Sequence, residues 1–250
     1  MPEQAWNRAV WDGRYDWKDG GEEWSAAWGN SEAQWFGSLY PRLHRFLPTA
    51  TILEIAPGCG RWTSFLLRNC NKYLGIDISV ECVETCRRRF VDAAWAKFEA
   101  NDGVSLEVAT DQKFDLVFSF DSLVHVEMDV MEAYLAQIVK KLSAKGVAFI
   151  HHSNLLDFKS VLGTPHLRAP SVSARRVAKA VDAAKGRILV QELINWGGEA
   201  CHDCLTLFGR ADAISVEPLM LENPQFMEEA TLIHRYQSPY STLSFSRKAT

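Results

Sequence analysis

The feature that most constrains the fold of this chain is an apolar run that leads directly into a glycine-containing turn. The run, TILEIA at residues 51–56, is rich in β-branched and apolar side chains, as is typical of a strand buried on both faces. Gly58 and Gly60 follow it, and both can adopt positive φ and let the backbone approach a ligand closely. The next segment, RWTSFLL, has the periodicity of a helix. This order of strand, turn and helix predicts an α/β domain in which a helix N-terminus points at a ligand.

A second apolar run, residues 72–79, places an acid where the neighbouring strand should end. In a parallel sheet this acid, Asp77, lies near the glycine turn, where a carboxylate can accept both hydroxyls of an adenine ribose. A glycine turn alone is also compatible with a structural role, but its combination with the acid favours a nucleotide-type ligand. Glu54 lies inside the first strand, where an unpaired carboxylate is costly to bury. We expect an ammonium group of the ligand to be its partner.

Over roughly residues 50–210 the chain resembles the class I S-adenosylmethionine-dependent methyltransferases. Motif I of that family has the form E-x-G-x-G-x-G, and it stands here at residues 54–60 with Ala56 in place of the first glycine. The main competing class is the Rossmann dehydrogenases. Their fingerprint G-x-G-x-x-G is absent, because the spacing of residues after Gly60 does not match it.

The resemblance implies both a fold and a cofactor. The fold is a Rossmann-like, seven-stranded, mostly parallel sheet with helices on both faces and an antiparallel C-terminal hairpin. The cofactor is S-adenosylmethionine, with Glu54 and the turn backbone at its methionine end and Asp77 with Ile78 at its ribose and adenine. Asp102 would accept from the adenine amino group, and its alternative role is that of a turn aspartate before Gly103. The full set of expected cofactor contacts is Glu54, Ala56, Pro57, Gly58, Gly60, Trp62, Thr63, Asp77, Ile78, Asp102, Gly103, Ser119 and Phe120.

Candidate catalytic residues follow the fourth and fifth predicted strands, whose carboxyl ends form the ligand-binding edge of such a sheet. Methyl transfer is an in-line displacement that needs the acceptor to be positioned and its proton to be removed. Histidine, with an ordinary pKa of about 6.5, suits that task. His125 is the first choice as base, and His151 or His152 the second, since alternating side chains prevent both from facing one cavity. Asp121 could orient His125, hold the cofactor or ligate a metal, and each histidine could instead be a buried structural residue.

These residues favour O-methylation of a small-molecule or sugar hydroxyl. N-methylation of an amino sugar or small amine is the near alternative. A non-catalytic module that binds S-adenosylmethionine, and a relative that catalyses rearrangement or decarboxylation, also remain open. Methylation of DNA bases is disfavoured, because residues 119–122 read SFDS instead of the Asp/Asn-Pro-Pro-aromatic motif of base-directed enzymes.

The length of 250 residues suits one α/β domain with extensions at its ends. We expect an N-terminal unit at 1–48, a cofactor-binding domain at 49–210 that includes an irregular insertion at 155–170, and a C-terminal extension at 211–250. The N-terminal unit contains six of the nine tryptophans, which either pack a helical cap onto the sheet or form a lid over the cofactor. An amphipathic stretch at 224–236 is a candidate dimer element or cap.

The net charge of −4 gives no electrostatic reason to expect a nucleic acid or an anionic membrane as partner. No run approaches the ~20 apolar residues that a membrane span needs, and the start lacks a signal-peptide pattern, so a cytoplasmic protein is expected. The six cysteines are interpreted as reduced thiols, with a zinc site at Cys201 and Cys204 as the alternative. No bound metal is expected, because the sequence shows no clear cluster of carboxylates beyond Asp121, Glu127 and the distant Asp203.

Overall fold

An eight-stranded sheet forms the centre of the molecule in the computed structural model, which describes residues 4–110, 112–158 and 167–243. The strands are, in chain order, β1 (Thr49–Ile55), β2 (Cys70–Asp77), β3 (Ala96–Ala100), β4 (Phe114–Ser119), β5 (Leu142–Ser153), β6 (Gly186–Ile194), β7 (Asp203–Arg210) and β8 (Leu219–Asn223). Across the sheet they lie in the order β3-β2-β1-β4-β5-β7-β6-β8. Strand β7 runs antiparallel to both of its neighbours, and the other neighbouring strands pair in parallel.

Helices connect the parallel strands and cover the sheet. They are, in chain order, α1 (Gln4–Trp11), α2 (Ser31–Gln34), α3 (Tyr40–Leu43), α4 (Thr63–Leu67), α5 (Val80–Arg89), α6 (Met128–Lys141), α7 (Ala174–Ala183), α8 (Phe226–Tyr236) and α9 (Ser238–Ser241). A π-helical turn, Trp35–Leu39, joins α2 to α3. Serine hydroxyls cap two of the longer helices, because Ser79 and Ser173 accept the amides that are left unpaired at the starts of α5 and α7.

The two faces of the sheet bury separate apolar clusters, because side chains alternate along each strand. On β1, Ile52 belongs to one cluster and Leu53 to the other. The first cluster is completed by the N-terminal helices together with α4, α5 and α8, and it contains the fully buried rings of Trp28 and Trp35. The second is completed by α6 and α7. The result is a three-layer α/β/α arrangement with the edge of the strand ends left open for a site.

The expected Rossmann-like, mostly parallel sheet and its antiparallel hairpin of β6 and β7 are confirmed, but the number of strands was wrong. The eighth strand, β8, pairs in parallel with β6. Its apolar side chains Leu219, Met220 and Leu221 stay exposed, so it forms through backbone hydrogen bonds and not through burial of a face. A prediction from apolar patterning could not detect such a strand.

The proposed division of the chain at residues 48 and 210 stays a prediction. Residues 155–158 of the expected insertion form a 3₁₀ turn, and its residues 159–166 lie outside the described part of the chain, as do 244–250 of the C-terminal extension. No helix among the residues that the structure describes is long and apolar enough to cross a membrane.

Candidate active site

A cavity of about 100 Å³ lies at the carboxyl ends of β1, β2 and β4. Its wall is built from the glycine turn after β1, the end of β2, the loops after β3 and β4, and the first turns of α6. Aromatic side chains of the N-terminal segment, chiefly Trp11, Trp17 and Trp24, complete the lining. This is the sheet edge at which the sequence placed a ligand.

The glycine turn has the backbone conformation that its sequence suggests. Gly58 and Gly60 have φ of 57° and 88°, and a Cβ on Gly60 would come within 2.5 Å of the Phe90 ring. Ala56, which replaces the first motif glycine, is also left-handed, with φ of 57°. Its amide donates to the Ile76 carbonyl at 2.7 Å, which fixes the turn against β2. An alanine in this region costs about 1–2 kcal/mol relative to the ordinary helical region, so the turn is held by its surroundings.

Asp77 is buried at the end of β2 and lines the cavity. One carboxylate oxygen accepts from the Gly58 amide at 2.8 Å and the other from the Ser79 amide at 2.9 Å. Burial raises the pKa of Asp77 to about 6, although these amides favour the ionised form. The carboxylate is thereby held rigidly beside the turn, in the wall of the cavity.

Glu54 is not the lining residue that the sequence suggested. Its carboxylate is buried outside the cavity and accepts from the hydroxyl of Thr63 at 2.7 Å and from that of Tyr73. Burial raises the pKa of Glu54 to about 7. Both hydroxyls donate to the same oxygen of Glu54, Oε2, and the expected ammonium partner stays a prediction.

Asp102 also differs from its expected role, and the turn alternative describes it better. Its side chain is exposed and accepts from the amides of Val104 and Ser105 at 2.8 and 2.6 Å, which caps a turn. The preceding Asn101 and the following Gly103 line the cavity instead. The predicted residues that do line it are Ala56, Pro57, Gly58, Trp62, Asp77, Ile78, Gly103, Phe120, Asp121 and His125. Those that lie outside the lining are Glu54, Gly60, Thr63, Asp102, Ser119, His151 and His152.

His125 is the predicted base that the structure places at the cavity. Its Nδ1 lies 3.1 Å from the Leu167 carbonyl oxygen, an atom that can only accept, so Nδ1 carries the proton and Nε2 keeps the lone pair. Burial, assisted by the charge of Arg168, lowers the pKa of His125 to about 4. The imidazole is therefore neutral near pH 7. The Leu167 carbonyl orients the ring, and Asp121, for which this role was one of three alternatives, makes no hydrogen bond to His125 in the described structure.

His151 and His152 both have buried hydrogen-bonding roles outside the cavity. The amide of Asp121 donates to Nδ1 of His151 at 3.2 Å, and Nε2 of that ring lies 3.1 Å from Asp203. His152 contacts the hydroxyl of Thr206 through Nε2 at 2.7 Å, and burial lowers its pKa to about 4. Neither is placed to act on a ligand in this cavity.

Sequence reasoning missed a buried network of charges beside the site. Arg61 lies 3.1 Å from Asp121, whose other oxygen is 3.7 Å from Arg168. Arg168 in turn pairs with Asp203 at 2.8 Å. Burial alone would raise the pKa of Asp203, but Arg168 and the hydrogen bond to His151 hold it well below its usual range. Arg61 could have been suspected, because it directly follows the last motif glycine, whereas Arg168 lies in an insertion without a recognisable pattern.

The sequence also did not predict that hydrogen bonds attach the N-terminal segment to the loops around the cavity. The Asn7 amide donates to the His125 carbonyl at 3.3 Å, Arg8 donates to the Asn101 carbonyl at 3.3 Å, and the Ser79 hydroxyl donates to Asp12 at 2.9 Å. These bonds reach the loops after β2, β3 and β4. The tryptophan density alone indicated packing but could not indicate these polar attachments.

Three buried polar atoms on lining residues have no hydrogen-bond partner within the described part of the chain. They are Oδ1 of Asn7, Nε1 of Trp62 and Oε1 of Glu127. Such orphaned groups are rare in native interiors and mark places where a ligand or water completes the bonding. Two acceptors and one donor match a ligand that, like a nucleoside joined to an amino acid, carries both donors and acceptors.

The described residues contain neither a metal-binding group of side chains nor a disulfide bond. In residues 4–110, 112–158 and 167–243, no group of three or more His, Cys, Asp or Glu side chains is placed to hold a metal ion. All six cysteines are free thiols, including Cys201 and Cys204.

The strand order, the glycine turn after β1 and the acid at the end of β2 define the architecture of class I S-adenosylmethionine-dependent methyltransferases. Residues 52–146 match the family model described as a methyltransferase domain. This domain indicates an enzyme that transfers methyl groups, with S-adenosylmethionine as its cofactor. No curated protein matches the sequence.

Solved structures share the fold at low sequence identity. An S-adenosylmethionine-dependent methyltransferase from Clostridium acetobutylicum is 14% identical with a TM-score of 0.61, over 77% of this chain and 97% of that one. The N-methyltransferase NodS from Bradyrhizobium japonicum is 18% identical with a TM-score of 0.53, over 68% and 92%. Magnesium protoporphyrin IX methyltransferase from Synechocystis, solved with bound S-adenosylhomocysteine, is 14% identical with a TM-score of 0.55, over 82% and 92%.

Proposed function

We propose that the protein transfers a methyl group from S-adenosylmethionine to a hydroxyl of a small molecule or sugar, with His125 as the general base. The observation that carries this proposal is the state of the His125 ring at the cavity wall. Its Nδ1–H is committed to the Leu167 carbonyl, so the lone pair resides on Nε2, the nitrogen that can take a proton.

The cofactor supplies an electrophilic methyl group on a sulfonium. Around it, Asp77 would accept the ribose hydroxyls, and Asn101 with Gly103 would line the adenine end. Ala56 and Gly58 would let the turn backbone approach the methionine end closely. Within the class, methyl transfer needs little else from the protein than this placement and the removal of a proton from the acceptor.

His125 suits proton removal because it is unprotonated in nearly every molecule at neutral pH. Its low pKa makes it a weak base in the free enzyme, so a positioned acceptor must compensate. The carboxylates of Asp121 and Asp203 act on His125 in the opposite sense to Arg168 and favour the protonated ring. They would stabilise the imidazolium that forms during transfer.

N-methylation of an amine is the second candidate. Glu127 lines the cavity with a buried carboxylate oxygen that has no partner within the described residues, and such an oxygen suits an amino group. One of the solved structures with this fold is an N-methyltransferase. An amine also has to lose a proton, so His125 serves either acceptor.

The test is an assay of S-adenosylhomocysteine release across nucleotide sugars, amino sugars, glycosylated natural products and phenols. For an acceptor that the wild type methylates, His125→Gln should lower kcat roughly 10²- to 10⁴-fold and leave S-adenosylhomocysteine binding unchanged. The matched control is His44→Gln, since His44 is exposed on the N-terminal segment. At saturating cofactor, the wild-type profile of kcat/KM for the acceptor should lose activity as pH falls through about 4, the pKa of His125, instead of near 6.5.

Two outcomes would contradict the proposal. Full methyl transfer by His125→Gln would exclude His125 as base. Binding of the cofactor without transfer to any acceptor would favour a non-catalytic module instead.

A further inference from the structure

We infer that Cys59 is a site of oxidative modification, where hydrogen peroxide joins its thiol to that of Cys82 in a disulfide that weakens cofactor binding. The chemistry needs no groups other than these two thiols and the peroxide. The effect on binding rests on S-adenosylmethionine occupying the cavity. The formation of the disulfide does not depend on the proposed methyl transfer.

The glycine turn after β1 and helix α5 bring three cysteines together. Cys59 lies between the two glycines of the turn, and Cys82 and Cys86 lie one helical turn apart on α5, on the face that meets it. The Cys86 thiol donates to the Gly58 carbonyl at 3.2 Å, whereas the thiol of Cys82 is hydrogen-bonded to that of Cys59. Cys59 and Cys82 therefore form the pair whose sulfurs are in contact.

Cys59 is the member of this pair that a small oxidant can reach. Among the six cysteines, all of which the structure describes, Cys59 alone lines the cavity. It is 6% exposed, whereas Cys82 is fully buried. A water molecule occupies about 30 Å³ in the liquid, so a cavity of about 100 Å³ can admit a molecule as small as hydrogen peroxide.

The surroundings of Cys59 favour the thiolate, which is the form that reacts with peroxide. The hydrogen bond from Cys82 lowers the pKa of Cys59, and the charge of Arg89 acts in the same direction. Nη1 of Arg89 also donates to the Cys59 carbonyl at 2.9 Å, which holds the guanidinium beside the turn. The hydrogen bond to Cys59, together with burial, raises the pKa of Cys82 well above its usual range. Cys82 therefore stays a thiol.

The oxidation takes place in two steps. The Cys59 thiolate attacks one oxygen of hydrogen peroxide, so that an S–O bond forms and the O–O bond breaks. The hydroxide that leaves takes up the proton that Cys59 had released and becomes water. The sulfur of Cys82 then attacks the sulfur of the Cys59 sulfenic acid, an S–S bond forms, and the S–O bond breaks. The thiol proton of Cys82 leaves with the hydroxide as a second water, so two thiols have given two electrons to the peroxide.

The disulfide would alter the cavity because Cys59 is part of its wall. A covalent bond holds two sulfurs closer together than two free thiols in contact can lie, so its formation draws the turn towards α5. The amide of the preceding Gly58 donates to Asp77 at 2.8 Å, and the Trp17 ring packs on the same glycine. A shift of the turn therefore displaces the groups that line the cavity, and we expect weaker cofactor binding. A bound cofactor would in turn cover Cys59 and slow its oxidation.

The test exposes the full-length protein to hydrogen peroxide, blocks the remaining thiols with N-ethylmaleimide and identifies disulfides by mass spectrometry of unreduced peptides. It compares the wild type with Cys59→Ser and Cys82→Ser. The matched control is Cys204→Ser, because Cys204 is also fully buried but belongs to β7 and lies outside the cavity lining. The dissociation constant of S-adenosylhomocysteine is measured by calorimetry before oxidation, after it, and after reduction with dithiothreitol.

The wild type and Cys204→Ser should form the disulfide between Cys59 and Cys82 and then bind S-adenosylhomocysteine about tenfold more weakly or worse, with recovery after reduction. Cys82→Ser should keep a sulfenic acid on Cys59, which dimedone labels, because the thiol in contact with it is gone. Cys59→Ser should give neither product. Saturating S-adenosylhomocysteine should slow the modification of the wild type.

A disulfide from Cys59 to Cys86 in place of Cys82 would overturn the inference, as would a Cys59 that peroxide leaves unmodified. It would also be overturned if the oxidised wild type bound S-adenosylhomocysteine as tightly as the reduced protein, a comparison that needs no variant. If the reduced wild type bound no S-adenosylhomocysteine, the proposed function would fail. The identified disulfides would still decide whether Cys59 is modified, so the two failures are distinguishable.

Discussion

Asp77 is the residue whose protonation should control the ribose end of the cavity. Its carboxylate is fixed by the amides of Gly58 and Ser79, and burial raises its pKa to about 6. An ionised carboxylate accepts hydrogen bonds from ribose hydroxyls on all its lone pairs, whereas the protonated form presents a donor in place of one acceptor. This change in protonation occurs near pH 6, where binding can be measured.

We therefore predict that S-adenosylhomocysteine binds less tightly as pH falls through about 6. Above that pH Asp77 is ionised and the affinity is constant, and below it the affinity falls by up to about tenfold per unit, because one proton must be released on binding. Asp77→Asn should bind weakly at every pH and remove the dependence. Calorimetric titration between pH 5 and 8 measures both.

Asp102→Asn serves as the control for that series. Asp102 is exposed, and the amides of Ser105 and Val104 lower its pKa, so it stays ionised throughout the range. Wild-type affinity that did not change between pH 5 and 8 would contradict the assignment of Asp77. An effect of Asp102→Asn as large as that of Asp77→Asn would restore the original expectation for Asp102.

Single residues also show which parts of the site could be predicted from the sequence. The glycine turn, Asp77 and His125 follow from local patterns, since a turn needs its glycines and an acid at a strand end stays at the sheet edge. The partner of Glu54 could not be predicted, because it depends on Tyr73 of the neighbouring strand and Thr63 of the next helix. Such partners are set by tertiary packing, which a one-dimensional pattern does not contain.

Among the elements, the N-terminal segment has the most direct relation to the cavity. Trp17 packs on the glycine turn so closely that a Cβ on Gly58 would lie 3.0 Å from its ring. Its ring also contacts those of Tyr15 and Trp24, at centroid distances of 4.9 and 5.5 Å. The cavity that remains, about 100 Å³, is smaller than the 300–1,000 Å³ typical of small-molecule sites. If the cofactor occupies this cavity, the aromatic group has to move, and we therefore predict that the segment acts as a lid.

If Trp17 must leave the turn, its removal should make cofactor entry easier. We predict that Trp17→Ala associates with S-adenosylhomocysteine several-fold faster than the wild type, because less of the aromatic cluster has to be displaced. Binding should also change the tryptophan emission of the wild type, and this change should be smaller in the variant. Stopped-flow fluorescence measures both quantities.

Trp95→Ala is the matched control, because Trp95 is half exposed before β3 and does not line the cavity. It should leave both the association rate and the emission change as they are in the wild type. Slower association of Trp17→Ala would show that the ring helps to form the site and does not obstruct it.

The elements that were predicted well are those with a strong apolar period. Strands β1 and β2 and helix α4 lie close to the positions that their sequences predict, because each buries apolar side chains that its sequence displays. Strand β8 lacks that signal, and the attachment of α1 and the following Asp12 to the loops after β2, β3 and β4 depends on single polar contacts. The apolar pattern of a sequence predicts the elements that hydrophobic burial stabilises. It does not predict elements whose position depends on hydrogen bonds.

At the scale of the whole molecule, the buried charges connect the cofactor half of the sheet to the C-terminal hairpin. Asp121 follows β4, His151 belongs to β5, and Asp203 begins β7, while Arg168 approaches from the insertion before α7. The network joins the hairpin to the wall of the cavity, because Asp121 lines the cavity and Asp203 lies at the start of β7. These side chains are buried, so water cannot replace a partner that is lost. Their pairing therefore also matters for the stability of the fold.

The last prediction concerns that pairing. Arg168→Met leaves the fully buried Asp203 without its main cation, and we expect the free energy of unfolding to fall by about 3–5 kcal/mol, measured by urea denaturation. Adding Asp203→Asn should recover part of the loss, because it removes the unpaired charge while keeping a hydrogen-bonding group beside His151. Arg175→Ala breaks an exposed pair with Asp157 and should cost less than about 1 kcal/mol. If Arg168→Met were no more damaging than Arg175→Ala, the network would not hold the hairpin to the catalytic half, and the position of Asp121 would have to be explained by the loop after β4 alone.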